Sequence, residues 1–288
     1  MAAPRPLVPA LAALAAVSGC RGASGPKLTL RYHPPAGAAY RYALEQQNSM
    51  KFEGGSVAGP EQSVTMRMYF TQAVGGPAPG GGWTAVTVTF DSTAFESLGM
   101  EVGAMQPALD RMRGMKSDIV YDDRMNVVSA AFRGLSGSPS PLSEQMGKSV
   151  KAMAFPLPER PVGVGDSWTS ENELPLGDQL NASAPIKSKT KLTVKQIQVA
   201  GTDTSVLLAI ETIFPGEPIK VTRQGQQITM RLSGGLTGEQ TYSLTHSAQT
   251  RATMGGVMRV NVKSGPAGQR EMTMAMTQRS SLQLTAAK

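Results

Sequence analysis

Polar and apolar residues alternate along most of this chain, which is the pattern of β-strands that bury one face. The segments 63–70 and 83–90 show it most clearly, and a Gly/Pro-rich stretch at 75–82 separates them. Such a pair predicts an antiparallel hairpin. Further strands are predicted at 28–32, at 40–52, on both sides of a turn at 122–126, and at 191–198, 205–214, 228–232, 234–244, 250–262 and 269–284.

Two stretches place their apolar residues at helical spacing instead. The first predicts a helix over 107–115, with Pro107 near its first turn. The second predicts a helix over 141–155, with Ser140 as its N-cap.

These patterns together predict a mainly-β fold: an extended, curved antiparallel sheet, half-barrel-like, with two short helices. We expect one mainly-β domain over 28–288. A division into two lobes, 28–155 and 156–288, is the alternative, because the proline-rich stretch near 156–165 would serve as the boundary.

That proline-rich stretch runs from Phe155 to Trp168. Its prolines exclude helix, and Gly163 and Gly165 permit a tight turn. We interpret it as a rigid crossover that delivers the Trp168 indole to the core. The alternative interpretation is a loop that binds a ligand or a partner.

The N-terminus resembles a bacterial lipoprotein signal peptide. One basic residue, Arg5, precedes an apolar run at 7–17, which is too short to span a membrane but is typical of a signal-peptide core. The run ends in Val17-Ser18-Gly19-Cys20, where Cys20 is the single cysteine of the chain. Its thiol is the expected acceptor of a diacylglycerol, and its new amino group would take a further acyl chain such as palmitate.

This interpretation divides the N-terminal part into a signal peptide at 1–19 and a lipid-anchored tether at 20–27. It places the protein in an exported bacterial cell envelope, anchored to a membrane through its lipid. Arg21 follows the cysteine, which in a bacterium with two membranes indicates the periplasmic face of the outer membrane.

The composition of the chain excludes several kinds of site and partner. Without Cys20 the mature chain has no thiol for a disulfide, a nucleophile or a metal. The net charge of +7 is spread thinly, with no basic-aromatic clustering, so nucleic acid is not an expected partner. The two histidines, His33 and His246, lie far apart in sequence and no carboxylates cluster around them at ligand spacing, so we expect neither a metal site nor a cofactor.

Catalytic motifs are equally scarce. The pair Glu171 and Glu173 would share a strand face, as paired carboxylates for glycoside hydrolysis would require, but lacks aromatic platforms nearby. The adjacent Asp122 and Asp123 are typical of a turn. We therefore expect a protein that is not an enzyme.

The 17 methionines suggest where a ligand could bind. Met272, Met274 and Met276 share one strand face, and Met66 and Met68 share another. Three interpretations are open: a filled core in which Met replaces scarce aromatics, an adaptable lipid-accommodating concave face, and a thioether site for copper(I). If the face holds a ligand, the candidate binding residues are Met66, Met68, Trp168, Met272, Met274 and Met276.

Three segments carry a resemblance to a family of uncharacterised bacterial lipoproteins, a domain of unknown function. They are the Tyr-Arg-Tyr strand after the Pro/Gly turn (35–42), the Pro-x-Arg-Pro-Val-Gly-Val-Gly-Asp-Ser-Trp stretch ending at Trp168, and the Gly/Thr-rich closing meander from Gly234. The architecture is similar to half-barrel lipoprotein-carrier folds, in which an antiparallel sheet curls around helices and holds acyl chains. The resemblance implies no catalytic residues.

We therefore expect a lipid-anchored envelope lipoprotein that acts as a non-catalytic binding or carrier module for a lipid or other apolar ligand. The alternative is a structural or protein-interaction lipoprotein of the envelope whose core is filled.

Overall fold

The computed structural model describes residues 25–53, 60–78, 83–99, 110, 112–133, 147–148, 150–151, 154–174, 184–223, 226–264 and 270–288. These residues form eleven strands: β1 Ala39–Glu53, β2 Gln62–Pro77, β3 Thr84–Leu98, β4 Lys116–Tyr121, β5 Val127–Arg133, β6 Ser167–Leu174, β7 Ile186–Ala200, β8 Asp203–Arg223, β9 Gln226–Ser243, β10 Ala248–Ser264 and β11 Arg270–Ala287. The signal peptide, Cys20 and most of the predicted tether lie outside the described residues.

All described strands belong to one antiparallel sheet, in the order β5-β4-β3-β2-β1-β11-β10-β9-β8-β7-β6. Every pair but one joins strands that follow each other in the chain, and the exception is β1 with β11. The first and last strands therefore lie together at the centre of the sheet. The predicted fold class, an extended, curved, open antiparallel sheet, is confirmed.

The sheet has an inner and an outer face, which we define by burial. Inner-face residues from β3–β5, at one end of the sheet, and from β6–β8, at the other end, belong to the same buried cluster. Val86, Ile119, Leu192 and Leu208 are examples. Residues from opposite ends of a sheet reach one core only if the sheet curls around it, so the inner face is concave.

Two non-strand segments fill the space between the ends of the curled sheet, and we call them the plug: residues 26–33 and 154–166. An isolated bridge between Leu28 and Val162 joins them. Leu30 and Leu157 are almost completely buried in the shared cluster. The backbone N–H of Leu157 donates to the carbonyl of Arg124 at 2.7 Å, and this hydrogen bond joins the plug to the β4–β5 turn.

The predicted helices are described only in part. Residues 110 and 112 are helical, as are 147, 148, 150 and 151. The first helix does not reach Met115, because Gly114 adopts a left-handed φ of 77° and turns the chain into β4. The second does not reach Phe155: the chain is already irregular at 154, since Pro156 disfavours helical geometry in the residue before it.

Bare glycines allow β9 and β10 to approach closely in the middle of the sheet. A Cβ added to Gly238 would lie 1.9 Å from the carbonyl oxygen of Thr253, and one on Gly256 would lie 2.1 Å from that of Gly235. No other residue type fits such an approach. The sequence predicted a break between two strands at 233; the structure has one continuous strand there, β9.

Candidate functional site

The inner face continues beyond the plug, and we call this continuation the trough. Its side chains are apolar and partly exposed: Met50, Phe52, Met230, Met258, Val260, Met274 and Met276. They are brought together by register. Met276 on β11 lies opposite Met50 on β1 and Met258 on β10, and Met274 lies opposite Phe52 and Val260. Directly opposed side chains of an antiparallel pair contact each other, so the trough is a continuous apolar surface.

The three β11 methionines predicted as ligand contacts line this trough. Met274 and Met276 are partly buried in it, and Met272, which lies opposite Val262 at the rim, is 37% exposed. They share a face, as alternation predicted, and the register adds Met50 and Met258 to them. Whether they bind a ligand stays a prediction.

The other predicted contacts lie nearer the plug. Met66 is partly buried and Met68 is buried at 8% exposure. Met66 and Trp168 lie on a single cross-strand row, which continues past Met66 to Phe95 on β3. The row passes in register through Leu192, Ile210, Gly238, Met254, Ser280 and Gln46.

Trp168 contacts the plug. Its ring packs against the main buried cluster, and its Nε1–H donates to the carbonyl of Pro156 at 2.8 Å. The expected role as an aromatic anchor of the proline-rich crossover is confirmed. The same crossover is held by Asp166, whose carboxylate accepts the backbone N–H of Gly163 at 3.0 Å. This hydrogen bond lowers the pKa of Asp166, and the nearby Lys27 ammonium lowers it further.

Charge is distributed unequally between the faces. No described side chain at a paired inner-face position of β1, β2 or β6–β11 is charged. On the outer face opposite charges meet across strands: Arg67 with Glu45 at 3.0 Å, and Lys189 with Glu171 at 3.7 Å. Among the side chains that the structure describes, this segregation gives the trough no charged group to pair with an ion.

Neutral polar side chains occupy inner-face positions between the plug and the trough. Gln46, Asn48, Gln278 and Ser280 form a polar band on β1 and β11, and Gln240 lies apart from it on β9, with Ala252 and Leu282 between. The amide of Gln46 donates to Asn48 at 3.2 Å. Sequence reasoning missed this band, although its signal was available: each of these residues occupies an apolar position of its strand's alternation.

The remaining candidates are structural. Asp122 caps its own turn, with its carboxylate accepting the backbone N–H groups of Arg124 at 2.9 Å and Asn126 at 2.8 Å. Glu171 lies on the outer face against Lys189, at the position the strand pattern predicted. Among the residues the structure describes, no three His, Cys, Asp or Glu side chains gather where they could hold a metal ion.

Buried tyrosines line the end of the inner face that the plug fills. Burial raises the pKa of Tyr121 to about 12 and raises the pKa values of Tyr32, Tyr42 and Tyr242 as well. The hydroxyl of Tyr242 donates to the carbonyl of Arg31 at 2.9 Å, which fastens the plug to the sheet.

No protein-family model matches the chain, and no curated protein matches it. Among solved structures it is similar to a chain described under "Lipid-protein interactions in lipovitellin", with a TM-score of 0.49 and 8% identity. The similarity covers 89% of this chain and 26% of that one, so the present chain spans about a quarter of lipovitellin's matched chain. Within the described residues, no helix has the length and apolarity that crossing a membrane requires.

Proposed function

We propose that this protein is a non-catalytic binding or carrier module whose trough takes an apolar ligand. The observation that supports it is the apolar, uncharged inner face that extends past the plug with its side chains partly exposed. A core that only stabilised the fold would have no reason to leave Met274, Met276 and Phe52 accessible. Methionine suits such a surface because its flexible thioether adapts to irregular apolar partners.

We also propose that the module is held at a membrane of the bacterial envelope through lipid on Cys20. Support comes from the apolar run that ends in Val17-Ser18-Gly19-Cys20, and from the resemblance to envelope lipoproteins. Arg21 favours the periplasmic face of an outer membrane. Replacing Cys20 by Ser should abolish incorporation of a radiolabelled fatty acid in cells; unchanged labelling would refute the anchor.

Ligand binding is tested on residues 21–288, which contain all described strands and the plug. Purified from its host, this chain should carry lipid that mass spectrometry identifies after extraction. It should also take up an acyl methyl ester that bears an environment-sensitive fluorophore. Absence of both would favour the alternative, a structural or interaction lipoprotein with a filled core.

A matched pair of variants on β11 tests whether the ligand binds the inner face or the outer face of the sheet. Met274→Asp introduces a charge into the trough and should weaken uptake of the ester at least tenfold, because burial of an unpaired carboxylate is costly. Ala275→Asp, the next residue, lies on the outer face opposite Lys51 and Arg259 and should leave uptake unchanged. Equal effects of the two substitutions would exclude the trough as the binding surface.

A further inference from the structure

Gln240 is a buried polar side chain without a full set of partners. It lies on the inner face of β9, opposite Leu208 on β8 and Ala252 on β10. Its residue exposure is 5%, and its Oε1 atom has no hydrogen-bond partner. An unpaired buried carbonyl loses its hydration without compensation, which costs about 1–3 kcal/mol.

Gln240 lies on the plug side of the trough. Leu208 and Tyr242 beside it are completely buried, whereas Ala252 and Leu282, which continue its row across β10 and β11, are partly exposed. Along β9 the trough is reached at Gly234, which lies opposite Met258 and six residues from Gln240. At about 3.3 Å per residue, roughly 20 Å of inner face separates the free acceptor from the trough methionines, and an acyl chain would span this distance.

The surrounding polar groups are all neutral. Gln46, Asn48, Gln278 and Ser280 form the band on β1 and β11, and no described charged side chain shares the paired inner face with them. Amides and hydroxyls bind hydroxyl, amide and ester groups by hydrogen bonds. A carboxylate or phosphate that entered here would lose its hydration and gain no opposite charge.

From this juxtaposition we infer that the ligand is a lipid with an uncharged polar group that carries a hydrogen-bond donor, a hydroxyl or an amide N–H. Its donor binds Gln240 Oε1, its remaining polar atoms meet the amide band, and its acyl chain lies along the trough methionines. The inference rests on the proposed function, which supplies the trough as the binding surface, and adds the chemical class of the headgroup.

The test compares three fluorescent probes with the same acyl chain, measured on residues 21–288 at pH 8: a 1-monoacylglycerol, the fatty-acid methyl ester and the fatty acid. We expect the monoacylglycerol to bind about tenfold more tightly than the ester, which has acceptors only, because one buried acceptor becomes satisfied. The fatty acid, as a carboxylate, should bind at least tenfold more weakly than the ester.

Two variants assign the preference to Gln240. Gln240→Leu keeps the side-chain volume and removes the acceptor, so the monoacylglycerol should lose its advantage over the ester in this variant. Gln283→Leu makes the same change on the exposed outer face of β11 and should alter nothing. Urea unfolding of both variants verifies that each is folded.

The outcomes separate the two proposals. If no probe binds the unsubstituted chain, the proposed function fails and this inference fails with it. If the ester binds but the monoacylglycerol has no advantage, or keeps its advantage in Gln240→Leu, the headgroup inference is overturned and the carrier function stands. Tightest binding of the carboxylate would overturn the uncharged headgroup class directly.

Discussion

Replacing Gly238 by alanine should destabilise the sheet more than any other single-methyl addition at its centre. The added Cβ would lie 1.9 Å from the Thr253 carbonyl oxygen and 2.9 Å from the Met254 Cα. Both obstacles are backbone atoms, so no side-chain rotation can relieve the clash. β9 and β10 must move apart by about 1.5 Å to regain ordinary contact.

The magnitude follows from two contributions. Overpacking in a closely packed interior costs about 1–3 kcal/mol, and weakening one β9–β10 hydrogen bond adds about 1 kcal/mol. We expect a loss of about 3 kcal/mol in the free energy of unfolding. For a domain of this size that corresponds to a decrease in Tm of about 6–12 °C.

Gly255 provides the control on the neighbouring strand. Its added Cβ would meet Gln278 O at 3.5 Å and Arg279 Cγ at 3.7 Å, which are ordinary van der Waals distances. Gly255→Ala should therefore change stability by less than about 0.5 kcal/mol. Urea unfolding followed by circular dichroism measures both variants. Equal stability of the two would refute the argument that bare glycines permit the close approach of β9 and β10.

Three further predictions concern the plug and Gln240. Trp168→Phe removes the indole donor to the Pro156 carbonyl and should cost about 1–2 kcal/mol in urea unfolding; an unchanged midpoint would exclude the anchor role. The pKa of Asp166 is lowered in the folded state, chiefly by the Gly163 N–H, so its contribution to stability is present above pH 3.8 and is lost as the pH falls through the folded-state pKa. Asp166→Asn should accordingly flatten the acid limb of a Tm–pH profile, and a parallel profile would contradict this. Gln240→Leu should raise the stability of the ligand-free chain by about 1 kcal/mol in the same urea assay, because it removes a buried unpaired acceptor; a large loss would show that Oε1 has a partner.

Alternation predicted most strands because each buries one face only; the predicted strand at 28–32 is wrong, since that segment forms only the isolated bridge at Leu28. It located the β2–β3 hairpin and the β4–β5 turn, where Asp122 caps the chain reversal. Strand ends were less predictable. β8 runs through Pro215 and Pro218, residues that ordinarily end a strand; Pro215 lies opposite Ser233 and Pro218 opposite Arg231, and the register shifts between them, at the kind of bulge where proline is tolerated in a sheet.

The methionine surface was partly predicted, and the polar band was overlooked. Met272, Met274 and Met276 share a face in any strand, but their neighbours Met50 and Met258 follow only from the long-range pairing of β1, β10 and β11. A glutamine within an alternating segment is usually assigned to solvent. Gln240 shares its alternation with Leu236 and Tyr242, so its inward position was available from the sequence, but its polar side chain was not recognised as inward-facing.

The most direct test of the trough is photocrosslinking with an acyl methyl ester that carries a diazirine along its chain. After irradiation of residues 21–288, peptide mass spectrometry should locate the label on inner-face residues such as Phe52, Met274 and Met276, and excess unlabelled ester should suppress it. Label confined to the outer face, or label that unlabelled ester does not suppress, would contradict the account.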